Sequence, residues 1–563
     1  MSFSKRISSN MEQTKNTKKN KSFLVEAGII SISSFVVKII GVLFKIPLAN
    51  ILGSHMGIFS AAYSLYAMLY MVSTSGLPVA ISRLIAASAK RGREREVQRI
   101  FRVSLTVFTL IGVIASTAMI VFAKPFFAVT GHAESVTAAY VIAPTLLFVC
   151  VCSAFRGYYQ GLHNMYPTAI GQLIEAVFKM GMGLGATLWA KHIGWDAAMQ
   201  AACAVSGITV GMMAEMLLLF VYRAFTRKKR PAGTDNDAEA ISPLTRRILI
   251  IALPATITSS ALYLSTFIDT VLIKKCLMLG GVAEAAAEDM YTAYTSYSTA
   301  ISDLIPSTLV YPIAISVLPL VSAALSVKDI AGANKSIEQS IRISAIIGLP
   351  SAAFLVASAP SCLTLLYSGA LNQYTRIDAL AVSSGTLMIL AVGIVFMAVV
   401  STTNALLQAV GKIWFPMLSV GVGVVCMAVI EYFGVSGMLG IYGAPVSSVC
   451  CYMIAALLNL FFLRKHTTAR LSLVSLFGRP TLCALLTCGA SLGVYHLLRM
   501  LLSGGGRIEA LVLLLLTGIV AVAVYVVTML LFKGITADEV RLLPMGNRLA
   551  SFLINRGWLH ESN

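Results

Sequence analysis

The sequence predicts an all-α polytopic membrane protein of about fourteen transmembrane helices. Two six-helix lobes, related by a pseudo-two-fold axis along the membrane normal, are followed by two C-terminal helices. Three observations predict this. The 563 residues are 57% hydrophobic and only 12% charged, unlike any soluble domain of that size. Basic residues concentrate in alternate connections along the chain. Short motifs from the first half return, in the same order, in the second.

Apolar windows long enough to cross a bilayer fall at 22–50, 57–88, 100–124, 135–161, 166–192, 196–223, 247–275, 290–324, 338–360, 377–411, 413–434, 438–463, 475–501 and 508–533. The first is too long for a signal-peptide core and lacks a small-residue cleavage site, so it reads as an uncleaved span. With the N-terminus in the cytoplasm, cytoplasmic segments hold 32 Lys and Arg and external loops hold 7. Four more, Lys38, Lys45, Arg83 and Lys179, lie within spans, and Arg156 counts with the cytoplasmic loops. A missed helix would invert this asymmetry downstream, so both ends are expected on the cytoplasmic side of the cytoplasmic membrane. The net charge of +19 is then topology, not a nucleic-acid surface.

The expected organisation is a cytoplasmic tail (1–21), an N-lobe of spans 1–6 (22–226), a polar cytoplasmic linker (227–246), a C-lobe of spans 7–12 (247–464), spans 13–14 (465–533) and a cytoplasmic tail (534–563). The lobes repeat. AYSLY at 62–66 matches AYTSY at 293–297, and PVAIS at 78–82 matches PIAIS at 312–316. FRVS at 101–104 matches IRIS at 341–344. QGLHNMYP at 160–167 resembles QAVGKIWFP at 408–416. Each repeat holds an even number of spans, so the halves run parallel, as in transporters with a central site.

Lys38 and Lys45 sit in an otherwise apolar first span. Seven residues is close to two helical turns, which puts both ammonium groups on one face. A charge at mid-bilayer costs roughly 2.5–3.5 kcal/mol, so such residues face a cavity unless their stems snorkel to the interface. Lys38 is deep for snorkelling, which favours a cationic cavity. Span 2 carries Tyr63, Tyr66 and Tyr70 on one face, then Arg83; span 8 carries Tyr294 and Tyr297, then Asp303. Polar stripes on lipid-embedded helices are either packing contacts or a cavity wall. The charges on the same helices favour the wall, giving Lys38, Lys45, Arg83, Tyr63, Tyr66, Tyr294, Tyr297 and Asp303 as substrate-binding candidates. Asp269 and Glu431 are acids inside apolar spans, and two roles stand open for them: coupling to a cation or proton, or pairing with a lysine to steady the fold.

The segment RGYYQGLHNMYPTAIGQLIE at 156–175 resembles the signature of the stage V sporulation protein B group of polysaccharide biosynthesis membrane proteins. That group belongs to the superfamily of multidrug, oligosaccharidyl-lipid and polysaccharide exporters. The resemblance covers nearly the whole chain. It implies a flippase for an undecaprenyl-pyrophosphate-linked sugar, lipid II first, serving cell-wall or spore-cortex assembly. In related lipid II flippases, arginines on helices 1, 2 and 8 line a cationic cavity. Lys38 and Lys45 stand near the first-helix pair and Arg83 near the second-helix arginine, while span 8 departs by carrying Asp303. Some relatives hold sodium with acids on helices 7 and 11, near Asp269 and Glu431. The resemblance thus implies no bound cofactor, with Na+, H+ or the membrane potential as the driving force. Implied partners are the lipid-linked oligosaccharide, bilayer lipids and cell-wall synthesis proteins, with no nucleic acid.

The charges fit a pyrophosphate, whose oxygens would take charge-assisted hydrogen bonds from the lysines and arginine. A non-enzymatic role is expected, since no phosphate-binding loop or zinc-protease motif occurs. The ten cysteines form no CxxC pair and read as reduced packing residues. Two rivals are a cation-coupled multidrug or solute antiporter of the same superfamily, which would favour an acidic cavity, and a non-transporting scaffold for envelope assembly.

Overall fold

The structure, a computed structural model, describes residues 33–74, 76–226, 241–469, 471–502 and 506–536 and three isolated positions of the C-terminal tail. The expected N-terminal tail, most of the linker 227–246 and most of the tail 534–563 lie outside the described residues. What is described is helical, with no strand among the described residues. In order, the helices are α1 (33–52), α2 (Met56–Thr74), α3 (Leu77–Lys90), α4 (Glu94–Thr130), α5 (Ser135–Ile142), α6 (Thr145–Gly161), α7 (Tyr166–Ile193), α8 (Ala197–Thr226) and α9 (Ile241–Leu279). There follow α10 (Glu284–Thr292), α11 (Thr299–Ile305), α12 (Tyr311–Ser326), α13 (Ile330–Leu371), α14 (Ala379–Ala409), α15 (Trp414–Ser436), α16 (Gly443–His466), α17 (Arg479–Leu501) and α18 (Arg507–Leu531).

Eleven helical stretches among the described residues are long and apolar enough to cross a membrane. Residues Ser33–Met71 count as one stretch, because a 3-10 turn at Gly53–His55 joins α1 to α2. The expected spans 7 and 8 fall on α9 and on α10–α12, outside the eleven, so fourteen remains a number of apolar segments. Large apolar side chains such as Phe122, Val121, Leu485 and Ile519 point outward at 60% exposure or more, as lipid-facing residues do. The chain is a multi-pass membrane protein.

Two expected spans are interrupted. Segment 57–88 divides between α2 and α3, where Pro78 opens α3 at a position that needs no backbone N–H. Segment 290–324 keeps a helical path but widens into π turns at Ala293–Ser298 and Pro306–Val310. The second widening starts at Pro306, whose ring removes one donor from the ladder.

The chain forms two compact units: residues 1–48 with 61–263, and residues 49–60 with 264–563. The first is centred on apolar side chains of α3, α4, α6, α8 and the start of α9, including Ile81, Phe101, Phe155, Leu219 and Ile248. Phe101 packs edge-on to Phe155 at 5.2 Å, and the Arg223 guanidinium stacks over Phe101 at 3.9 Å. Helices α7 and α8 approach through Gly183 and Gly207, where a Cβ on Gly207 would lie 2.4 Å from backbone. In the second unit, Ile346 of α13 packs with Cys483, Tyr525 and Met529 of α17 and α18. All ten cysteines are free thiols.

The repeat is visible in backbone detail. The α6–α7 turn places His163 at φ +55° and the α14–α15 turn places Gly411 at φ +80°, each three residues after the motif's glutamine. The same two hydrogen bonds close both turns: His163 N to Gln160 O (3.1 Å) and Asn164 N to Tyr159 O (2.9 Å), against Gly411 N to Gln408 O (3.0 Å) and Lys412 N to Leu407 O (2.8 Å). Both are left-handed helix C-caps that carry an amide to the last free carbonyls.

Candidate functional site

Each unit buries a carboxylate cluster; the second also buries Lys274, 2.9 Å from Glu288. In the first, Arg156 lies in the last turns of α6 and not in a loop, contrary to its assignment with the cytoplasmic connections. Its Nε and Nη2 donate to both oxygens of Glu215 on α8 at 2.9 and 2.5 Å. Glu215 is fully buried, and Glu175 on α7 adds a second carboxylate 3.6 Å from the same guanidinium. The pair is bidentate, the geometry that best repays the desolvation of both ions. A Cβ on Gly171 would lie 2.9 Å from the Glu215 side chain, so α7 must be bare there for α8 to deliver its acid.

The tyrosines of α2 lead into this cluster. Tyr63, Tyr66 and Tyr70 stack at 5.8 and 5.7 Å. All three lie within the electrostatic reach of Glu175, and Tyr66 and Tyr70 within that of Arg156. Tyr63 is 41% exposed and Tyr66 is buried. On α7, the Gln172 Oε1 is buried without a hydrogen-bond partner. Lys179, one turn beyond Glu175, sits over the Phe44 ring of α1 at 5.8 Å. Lys38 and Lys45 are half-buried on α1, and Arg83 is exposed on α3.

In the second unit, Asp269 of α9 and Glu431 of α15 are brought together. Their carboxyl groups lie close enough to act on each other, with Asp303 near enough to act on Asp269. Asp269 is 6% exposed and Glu431 0%. Asp269 Oδ1 and Glu431 Oε1 are buried with no hydrogen-bond partner. Ser447 of α16 donates a long bond, 3.5 Å, to Glu431 Oε2. Among the described residues no lysine, arginine or histidine forms an ion pair with either acid, so the lysine pairing left open by the sequence is not the arrangement found. Two negative charges cannot persist side by side in such a place without a proton or cation between them.

The π turn Ala293–Ser298 aims Tyr294 at this region, and its hydroxyl lies 3.2 Å from Ser448 Oγ. Tyr297 is equally buried; its hydroxyl donates to Gly53 O at 2.8 Å and meets Tyr374 at 3.1 Å. Both hydroxyls are therefore engaged with protein. Asp303 is exposed on α11. Reading the sequence missed the Arg156–Glu215 pair, although the acids were visible inside apolar spans.

A family model described as polysaccharide biosynthesis protein matches residues 23–325, more than half of the chain. The chain belongs to the polysaccharide biosynthesis protein family. Stage V sporulation protein B of Bacillus subtilis is 25% identical to this family member over 544 residues, 94% of this chain and 99% of the relative. Among solved structures, the lipid II flippase MurJ in an inward closed conformation matches 89% of this chain and 98% of its own with a TM-score of 0.61 at 12% identity. An inward-facing MATE-family multidrug resistance transporter of the MOP superfamily matches 75% of this chain and 93% of its own, also with a TM-score of 0.61, at 16% identity. This family member therefore shares its fold with these two proteins.

Proposed function

We propose that this protein is a flippase that moves a polyprenyl-pyrophosphate-linked sugar, with lipid II or a related polysaccharide precursor as cargo, across the cytoplasmic membrane by alternating access. The observation that carries this reading is the end-to-end correspondence with stage V sporulation protein B, on a fold shared with the lipid II flippase. Lys38 and Lys45, both on α1, supply the positive charge that an anionic head group needs on leaving water. Tyr63, with 41% of its surface accessible, offers a ring face to a sugar. The polyprenyl tail stays in lipid, so only the head group needs the cationic path. A membrane potential positive outside favours outward movement of the anion, by about 2.3 kcal/mol per charge for each 100 mV.

The carboxyl pair Asp269–Glu431 gives the same transporter a place for one exchangeable proton or monovalent cation, with Ser447 completing the polar side. Occupation of that place would set the energy difference between the two access states.

The test is translocation of fluorescent lipid II in proteoliposomes, wild type beside Lys38→Ala/Lys45→Ala. Wild-type translocation that the double variant loses while remaining folded supports the cationic path. Translocation unchanged by the substitutions removes the path, and absence of any lipid II movement removes the cargo.

A further inference from the structure

The repeat gives the α2 tyrosines internal controls. Tyr63 and Tyr66 correspond to Tyr294 and Tyr297 through the shared AYxxY motif. Tyr294 and Tyr297 are fully buried, and their hydroxyls engage Ser448, Gly53 and Tyr374. Tyr63 is the one exposed residue between 56 and 71, where every other is buried or half-buried. Its ring also lies within the electrostatic reach of Glu175 on α7, inside the first unit. The first repeat has thus opened to solvent a ring that the second repeat packs away.

Helix α7 carries three polar side chains in one row. Gln172, Glu175 and Lys179 follow at i, i+3 and i+7, which puts them on one face over about 10 Å. Gln172 Oε1 is buried without a hydrogen-bond partner. Glu175 keeps 17% of its side chain accessible and stands 3.6 Å from the Arg156 guanidinium, whose short bonds go to Glu215. Of the two acids, Glu175 therefore has acceptor capacity to spare. Lys179 ends the row over the ring of Phe44, the residue before Lys45.

The chemistry of this group narrows its ligand. Arg156 and Lys179 balance Glu175 and Glu215 in charge, so the group as a whole selects neither an anion nor a cation. It offers an aromatic face and acceptor oxygens. An uncharged saccharide fits both, because its C–H face stacks on a ring and its hydroxyls donate to carbonyl and carboxylate oxygens. A buried carbonyl such as that of Gln172 is costly without a donor, and a sugar hydroxyl supplies one.

We propose that Tyr63, Gln172 and Glu175 form a saccharide subsite within the first unit and set which sugar the protein accepts. That the sugar arrives on a polyprenyl pyrophosphate rests on the function proposed above; the saccharide recognition does not.

The test measures binding of lipid II and of undecaprenyl pyrophosphate, which has the anion and the tail without the sugars, to the full chain in nanodiscs. Wild type should prefer lipid II. Tyr63→Ala and Gln172→Ala should each cut that preference at least about fivefold and leave undecaprenyl pyrophosphate binding unchanged, which also reports an intact fold. Lys38→Ala/Lys45→Ala should weaken both ligands alike and keep the ratio. No preference in wild type, or the wild-type preference in both subsite variants, overturns the subsite. If neither polyprenyl ligand binds, the cargo is overturned and free chitobiose decides the subsite by saturation-transfer NMR. A chitobiose signal that Gln172→Ala loses keeps the subsite, and no signal overturns it. Binding of tetraphenylphosphonium that Glu175→Gln abolishes, with no saccharide binding, overturns it in favour of an organic cation.

Discussion

Two buried charge clusters, one in each unit, are built in opposite ways. In the first, Arg156 answers Glu215 with two short hydrogen bonds and has Glu175 beside it. In the second, Asp269 and Glu431 face each other, and each keeps one oxygen without a partner. The halves share a turn motif down to the left-handed residue, so the scaffold is common and the chemistry is not. A compensated pair joins α6, α7 and α8 and holds them in register. Two facing buried acids cannot both be ionised; a proton or a cation must sit between them. The difference separates a cluster that ties helices together from one that, on the function proposed above, exchanges a proton or cation.

The largest expected effect breaks the compensated side. Glu215→Ala leaves the Arg156 guanidinium buried without its main partner, a loss of about 3–5 kcal/mol. Thermal unfolding in detergent should drop sharply or folded yield should vanish. Replacing both partners together, Arg156→Met/Glu215→Leu, should recover most of the loss, because no orphan charge remains.

The matching change in the second unit should have the opposite sign. Glu431→Gln removes one of two facing acids, so the folded protein should be as stable as wild type or about 1 kcal/mol more stable without added cation. Wild type should gain stability as the bound cation is titrated in, about 2.7 kcal/mol at a hundredfold excess over its dissociation constant, and Glu431→Gln should not. Thermal-shift titrations with sodium, with lithium and with pH read both effects. Equal titration curves would make the pair a structural feature like its counterpart.

The smallest effect compares tyrosines at equivalent repeat positions. Tyr294→Phe gives up the hydrogen bond to Ser448 in a buried setting and should cost about 0.5–1.5 kcal/mol. Tyr63→Phe, at an exposed ring, should leave stability within about 0.5 kcal/mol of wild type and show its effect in transport.

Much of the fold was legible because bilayer crossing demands long apolar runs. The repeat was legible where the chain turns, since QGLHNMYP and QAVGKIWFP encode one C-cap geometry. Helix interruptions were harder. Pro78 and Pro306 are visible as prolines, but one opens a new helix and the other begins a π turn, and the choice depends on what packs beside them. Within the candidate site, Asp269 and Glu431 stood out as acids in apolar surroundings, although their meeting joins residues of α9 and α15. Arg156 was misplaced because an arginine near a span's end counts as a loop charge until its partner, 59 residues on, is seen. The engagement of Tyr294 and Tyr297 with Ser448, Gly53 and Tyr374 likewise needs three dimensions.

One measurement tests the account most directly. Fluorescent lipid II translocation is followed in proteoliposomes under an imposed sodium gradient, and separately under a pH gradient, for wild type and for Glu431→Gln. The account predicts that one of the two gradients accelerates wild type and that the variant no longer responds to it. Wild type and variant moving lipid II at the same gradient-dependent rate, or neither moving it at all, would contradict the account.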